Sequence, residues 1–400
     1  MVETPATPAE LSRRLVAWAL DEGFDRAGVV RLEPSRQIDA FERWLERGDH
    51  AGMEWIARRT ELRRDPRGLW PGLRSALCVA LQYHPLVGED EPAADDALWS
   101  RVARYARGRD YHEVMTKRLR RLEQRIVAAF PGAAARWYVD TGPILEREMA
   151  ARAGLGVQAK NTHLLHRVHG SYFLLGELLL TLDAAPLRAD EVEGAADPAT
   201  DLCGRCTRCL DHCPTDALRA PYRLDANRCI SYWTIEHRGD LPEAAREMVG
   251  EWVFGCDICQ EVCPYNVKVP AADHPELRLP PERRALDLVG LLRLGRDEYV
   301  ERFRKSPMKR AKLEGLRRNA AVALGHRGDT AAVGALAATL DDASAVVARH
   351  AAWALGEVGG AEARSALSAR RADPMLEPSL GVEIDRALAR IDAANWPAAY

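Results

Sequence analysis

The chain has 400 residues, 47% of them hydrophobic and 29% charged, with a formal net charge of -3. That length predicts two or three domains with sizeable cores, and the near-neutral charge excludes a global pull toward nucleic acid or membrane, so a polyanion must meet a local patch. The apolar run after Arg13-Arg14 spans only Leu15 to Leu20 before Asp21-Glu22 close it, too short for an export signal, and no window approaches 18 uninterrupted apolar residues. A cytoplasmic protein with no membrane partner is expected. In that setting nine cysteines, eight of them clustered, read as metal ligands and not as disulfides.

In chain order, residues 8–23 place Leu11, Leu15, Trp18 and Ala19 at helical spacing and end at Gly23. AGVVRLEP (27–34) reads as a strand, FERWLERG (41–48) as a helix and SALCVALQY (75–83) as a second strand. Residues 113–130 align Met115, Leu119, Leu122, Ile126 and Phe130 on one helix face. ARWYVDTGP (135–143) is a strand that breaks at Gly142-Pro143; a helix over 143–156 follows, with Pro143 at its first position. YFLLGELLLTL (172–182) is a nearly continuous apolar strand. Strands and helices alternate, which predicts an α/β domain over residues 1–190.

APLRADEVEGAADPATD (185–201) is acidic and small, a linker composition, and a cysteine-rich domain follows over 191–270. Beyond the Pro-rich stretch 269–284, the region 271–400 repeats: LRRNAAVALGHRGD (316–329) aligns with VARHAAWALGEVGG (347–360) at an offset of 31 residues, and a weaker copy lies in IDRALARID (384–392). Helix pairs at such a period predict HEAT-like repeats.

Cys203, Cys206, Cys209 and Cys213-Pro214 match C-x2-C-x2-C-x3-C-P without a mismatch. In two-cluster ferredoxins the first three thiolates of such a run hold one [4Fe-4S] cluster and the fourth reaches to the other. A second run is present but altered: Cys256, Cys259 and Cys263-Pro264 fill its last three positions, and Val253 stands at the first. Cys229 is the one unassigned cysteine nearby, so the ligand sets become Cys203, Cys206, Cys209 and Cys263 for one cluster, and Cys213, Cys229, Cys256 and Cys259 for the other. A bacterial ferredoxin-like domain with two [4Fe-4S] clusters is therefore expected. Zinc is disfavoured, because a four-cysteine zinc site shows two separated C-x2-C pairs. Cys78, in an apolar strand, reads as core.

With the cysteines placed, the chain resembles the epoxyqueuosine reductases, cobalamin-dependent enzymes of tRNA modification. The resemblance is carried by YVDTGPILEREMAARAGLG (138–156), AKNTHLLHRVHGSYFLLGELLL (159–180), the paired cysteine runs, CISYWTIEHRG (229–239) and the repeat tail. One departure is GLGVQAKN, where the family has a tryptophan and a glycine at the places of Val157 and Ala159. The resemblance implies a cobalamin-binding catalytic domain at the N-terminus, a tRNA carrying epoxyqueuosine as substrate, reduction of its epoxide to an alkene with loss of water, and an external low-potential electron donor. No D-x-H-x-x-G segment is present to supply an axial histidine, so a base-off cofactor is expected. The family's proton donor matches Asp140, whose sequence position predicts the carboxyl end of a strand in an α/β sheet, where ligands usually bind. Donation at neutral pH would call for a pKa raised by burial.

Further candidates for the cofactor pocket are Arg63, Tyr105, Lys160, Asn161, Ser231 and Arg238, with Asp110, Tyr111 and His112 beside Tyr105. His163, His166 and His169 read as solvated or hydrogen-bonded histidines, not ligands. Arg302, Arg304, Lys305, Lys309, Arg310, Lys312, Arg317 and Arg318 face Glu314 alone, a concentrated positive field; Lys309, Arg310, Lys312, Arg317 and Arg318 are the expected tRNA contacts. A reductive dehalogenase with the same cofactor plan, or a non-catalytic electron-transfer protein, are the other readings. A monomer is expected.

Overall fold

The computed structural model describes residues 7–89, 91–92, 98–187 and 200–394; most of the acidic linker lies outside them. The chain forms two compact units built from interleaved segments. One comprises Met1–Glu89, Gly108–Asn227 and Asp257–Arg278, the other Asp90–Arg107, Arg228–Cys256 and Leu279–Tyr400. Compactness thus cuts the chain differently from the three consecutive segments expected from composition. Among the described residues no helix is long and apolar enough to cross a membrane.

The first unit is organised by a four-stranded sheet in the order Arg26–Arg31, Ser75–Gln82, Phe173–Leu180, Ala135–Tyr138. Every pairing is antiparallel. The expected strands are present, and strands and helices share the unit as the α/β reading expects, but the sheet is antiparallel. Alternation of strands and helices does not here produce parallel βαβ units, so the argument from strand carboxyl ends does not apply. The strand Ser75–Gln82 is buried at all eight positions because it lies between two neighbours in the sheet. Cys78 within it is fully buried, as expected. The helix Tyr111–Ala129 buries Met115, Leu119, Leu122 and Ile126, and the predicted apolar face packs as read.

Pro143 does not start a helix. The helix begins at Glu146, and residues 139–145 form a turn that places Asp140 at φ 59°. The N–H of Thr141 donates to the carbonyl of Val139 at 2.6 Å, a three-residue turn. Gly142 is required there: a Cβ at this position would sit 2.8 Å from the Tyr138 ring.

The second unit stacks the helices Lys312–Arg327, Ala345–Val358 and Pro378–Ala394. The repeat has a packing reason. A Cβ on Gly325 would meet Ala354 Cα at 3.0 Å, and one on Gly356, 31 positions later, would meet Ala387 Cα at 2.8 Å. Each repeat's glycine lets its helix approach the next, and the weak third copy supplies the last partner. The first residue of each repeat core, Asn319 and His350, is fully buried and polar. Each bonds to backbone of the segment 234–253: Asn319 to the carbonyls of Thr234 and Val253, His350 to the N–H of Leu241.

Candidate active site and cluster centre

In the first unit the two cysteine runs adopt one local design. The single-turn helices Arg208–Asp211 and Ile258–Glu261 each precede a Cys-Pro pair. The N–H groups of Cys213 and Cys263 donate to the equivalent carbonyls of Leu210 and Gln260. A hollow is lined by Cys203, Cys206, Cys209 and Cys263, together with Lys160, Asn161, Leu165 and Tyr265. Those four cysteines are the ligand set expected for one cluster. Burial, with the neighbouring thiols of Cys203, Cys263 and Cys206, pushes the Cys209 thiol up to about 11. Such mutual destabilisation of thiolates is what a bound cation relieves.

The donor set lining this hollow is all thiol, with three cysteines at successive three-residue steps and a fourth from a Cys-Pro run, which fits an iron–sulfur core.

Lys160 and Asn161 build this site instead of reaching outward. Lys160 Nζ donates to the carbonyls of Gly204 and Cys206, and Asn161 Nδ2 donates to the carbonyl of Cys259 at 3.1 Å. A lysine caught between two carbonyls fixes the first cysteine loop, and a buried carboxamide fixes the second run. In this arrangement both side chains hold the cysteine loops, and corrin contact stays an expectation for them. The departures from the family pattern, Val157 and Ala159, are both buried, and Val157 lies in a two-residue ladder with Leu165. Small apolar side chains there complete the packing behind Lys160.

Asp140 is exposed, with 58% of its side chain accessible, so the expected burial is not met. Its turn is held from below by its own N–H, which donates to Glu146 Oε1 at 2.6 Å. His112 bridges two carboxylates: Nδ1 lies 2.8 Å from Asp110 Oδ1, and Nε2 lies 3.6 Å from Asp140 Oδ2. Burial alone would lower the imidazole's affinity for a proton, but the bonds to Asp110 and Asp140 outweigh it and raise its pKa to about 9. His112 therefore carries a proton beside Asp140 at neutral pH. Asp110 also caps the helix Tyr111–Ala129 through the N–H of His112, which fixes the start of that helix and with it the imidazole.

Behind this pair sit groups that the sequence did not single out. Glu177 is fully buried on the strand Phe173–Leu180, opposite Cys78 and Tyr138 in the sheet. Burial and the nearby Glu146 raise its pKa, and burial and Asp140 raise that of Glu146. The signal was available: a glutamate inside FLLGELLL is an anomaly in an apolar strand. His163 is held neutral by burial and by Arg147, with a pKa near 4. His166 is buried and accepts the N–H groups of Val168 and His169, and His169 meets Gln82, so the hydrogen-bonded reading fits both.

The remaining candidates are scattered. Arg63 is buried, donates to the carbonyl of Arg58 and lines a small slot with Glu148, Arg152 and apolar neighbours such as Leu32 and Met149. In the second unit Tyr105 packs on Phe254 with ring centroids 6.3 Å apart, and Ser231 is half-buried. Arg238 is exposed and donates to the carbonyls of Ile235 and Arg310. Arg63 and Arg238 thus serve the fold through backbone carbonyls.

The basic segment is also corrected. Arg318 is 1% exposed and donates to the carbonyls of Trp233 and Gly239, so it cannot reach phosphate. Arg317 is held by Asp342 and by the carbonyl of Leu292, and Arg310 by Glu236. Arg317 and Arg318 are spent on protein because each faces acceptors that only folding supplies, whereas Arg310 pairs with Glu236 at the surface with its side chain 52% exposed. Lys309 and Lys312 are exposed, as are Arg304 and Lys305.

Comparison with known proteins converges on one family. The profile described as epoxyqueuosine reductase QueG matches residues 63–141, a 4Fe-4S double cluster binding domain matches 202–266, and HEAT repeats match 309–375. The epoxyqueuosine reductase of Xanthomonas campestris is 40% identical over 357 residues, 88% of this chain and 97% of that one. The chain belongs to the epoxyqueuosine reductase family. The Pseudomonas aeruginosa member is 39% identical over 364 residues, 89% of this chain and 97% of its own. The crystal structure of an epoxyqueuosine reductase with an epoxyqueuosine-modified tRNA-Tyr stem loop superposes with a TM-score of 0.86 at 30% identity, covering 96% of this chain and all of that one. The Bacillus subtilis enzyme, solved with its aspartate catalytic loop swung out of the active site, gives 0.85 at 28% identity, with the same coverage.

Proposed function

We propose that this chain reduces epoxyqueuosine to queuosine in tRNA, with Asp140 and His112 delivering protons. The observation that carries the reading is the near full-length match to reductases of that name, one of them solved with a modified stem loop. Family membership leaves the dehalogenase and electron-carrier readings without support.

Removing the epoxide oxygen as water takes two electrons and two protons. Cobalamin, when bound, would supply low-valent cobalt as the nucleophile or reductant, and two [4Fe-4S] clusters would bring its electrons one at a time from an external donor. The four-thiol hollow supports the Cys203, Cys206, Cys209 and Cys263 set; the Cys213, Cys229, Cys256 and Cys259 set rests on spacing. An exposed Asp140 on a fixed turn suits a planar cofactor and a tRNA base, both of which must approach from solvent. The opening oxygen is a poor, basic leaving group unless protonated. Asp140 meets it, and the proton shared with His112 neutralises it, while Glu146 keeps the turn in place. Tyr105 and Ser231 remain candidates for cofactor contact. The soluble, monomeric, cytoplasmic state expected from the sequence belongs to the same reading.

Anaerobic incubation of the chain, reconstituted with iron, sulfide and cobalamin, with an epoxyqueuosine stem loop and a strong reductant is expected to give queuosine, read by mass as loss of one oxygen. An unchanged stem loop would overturn the reading.

The exposed lysines give a separate test. Replacing Lys309 and Lys312 together by Ala is expected to weaken stem-loop binding and to flatten the log–log salt dependence by about 1–2 units. Iron content should be unchanged, and an unchanged slope removes this face as a phosphate contact.

A further inference from the structure

Thr234 lies in the second unit within a single π-type turn, Tyr232–Glu236, and is fully buried. Its hydroxyl donates to the carbonyl of Ile230 at 2.8 Å and accepts the N–H of Gly255 at 2.9 Å. Ile230 directly follows Cys229, and Gly255 directly precedes Cys256. One hydroxyl therefore ties together the two chain segments that carry these cysteines.

Asn319, fully buried on the helix Lys312–Arg327, repeats the tie from the other side. Its Nδ2 donates to the carbonyl of Thr234 at 2.9 Å and to that of Val253 at 2.8 Å. Its Oδ1 accepts from Arg318 Nε at 3.1 Å, and Arg318 carries on to the carbonyls of Trp233 and Gly239. Val253, which stands where the cysteine pattern calls for a ligand, is fully buried and has its backbone engaged at both ends, its N–H donating to the carbonyl of Arg101. A ligand at 253 would point into this core, which gives a physical reason why the fourth thiol comes from Cys229. A π-type turn widens a helix by one residue and recurs at functional sites. Here it turns the Thr234 hydroxyl toward both partners.

We propose that Thr234 and Asn319 are positioning residues for the iron–sulfur cluster that takes Cys229 and Cys256, setting the separation of the two cysteine segments through one hydroxyl and one carboxamide. The proposal rests on the assignment of Cys229 and Cys256 as ligands. Ligand constellations need holding to within about 0.5 Å, and buried, fully bonded polar groups do this because they have one arrangement that satisfies every partner.

The test compares Thr234→Val, which keeps shape and drops the hydroxyl, with Thr234→Ser, which keeps the hydroxyl, in the full chain reconstituted anaerobically. Iron and acid-labile sulfide, the EPR spectrum after reduction, thermal melting and stem-loop affinity are measured. Thr234→Val is expected to hold about four irons where the wild type holds about eight, with one EPR species lost and stem-loop affinity unchanged, while Thr234→Ser matches the wild type. Asn319→Ser, which drops the bonds to Thr234 and Val253 but leaves the hydroxyl, serves if the valine variant does not fold; it is expected to shift the midpoint potential of one EPR species alone. A valine variant with about eight irons and a wild-type spectrum overturns the proposal. So does loss of both clusters in parallel with the melting temperature, or a serine variant as defective as the valine one. Cys229→Ser separates the two layers of the argument: if it retains about eight irons, the ligand assignment beneath the proposal is what fails.

Discussion

Asp140→Asn is expected to lower turnover of epoxyqueuosine by about 10²–10⁴-fold, the range for a lost general acid, with both clusters and stem-loop binding intact. The carboxamide keeps the size of the side chain. It also keeps the backbone N–H that bonds Glu146, so the left-handed turn at φ 59° survives. What is lost is an oxygen able to exchange a proton with His112, 3.6 Å away. The pH profile distinguishes this from a packing effect. His112 has its pKa raised to about 9, so the proton is present below that value and is lost as pH rises through it. Wild-type turnover should therefore fall on the alkaline side near pH 9, and His112→Gln should lower the plateau and remove that limb. Asp140→Asn with wild-type turnover would sink the assignment, and an alkaline limb unchanged in His112→Gln would remove His112 from it.

The second large effect concerns metal loading. Cys263→Ser should reduce iron from about eight to about four per chain, with loss of turnover. Cys263 lies in the second cysteine run but lines the hollow with Cys203, Cys206 and Cys209, so its loss removes the fourth thiolate from the first run's site. Burial raises the pKa of the Cys263 thiol, and Cys203 and Cys206 add to it, so metal binding to this set must release protons and weakens as pH falls. If iron remains at about eight, the exchange of the last cysteine between runs is wrong. Treatment with a chelator under oxidising conditions should strip the clusters and abolish reduction of the stem loop without abolishing its binding.

The comparison of His112 with Arg318 shows what a sequence can tell. Both stand in charged stretches that looked accessible. His112 folds against Asp140 across 28 positions of chain and pairs with it at the surface. Arg318 turns inward to carbonyls of residues 233–239 and becomes structure. Neither outcome has a local signature, because a side chain's partner is chosen by what the fold brings opposite it. Glu177 is the intermediate case: its misfit in an apolar strand is visible in the sequence, but the neighbouring Glu146 is not.

By itself the sequence determined the features that depend on short spacing. The three-residue steps from Cys203 to Cys209 put three thiols of one run on one local hollow, and the matching Cys-Pro ends of the two runs pointed to a shared design. The period of 31 residues set the repeat, and the apolar face of residues 113–130 set a helix, because both periodicities belong to the chain itself. Only the tertiary structure decided that the sheet is antiparallel, with Ser75–Gln82 between Arg26–Arg31 and Phe173–Leu180. It alone turned the expected buried acid into an exposed Asp140 beside a protonated His112, and divided the basic row into a solvent-facing set that includes Lys309 and Lys312 and the protein-bound Arg317 and Arg318. Strand partners and ion-pair partners are contacts between distant residues, and the free energy that selects them is the burial and hydrogen bonding of the assembled fold.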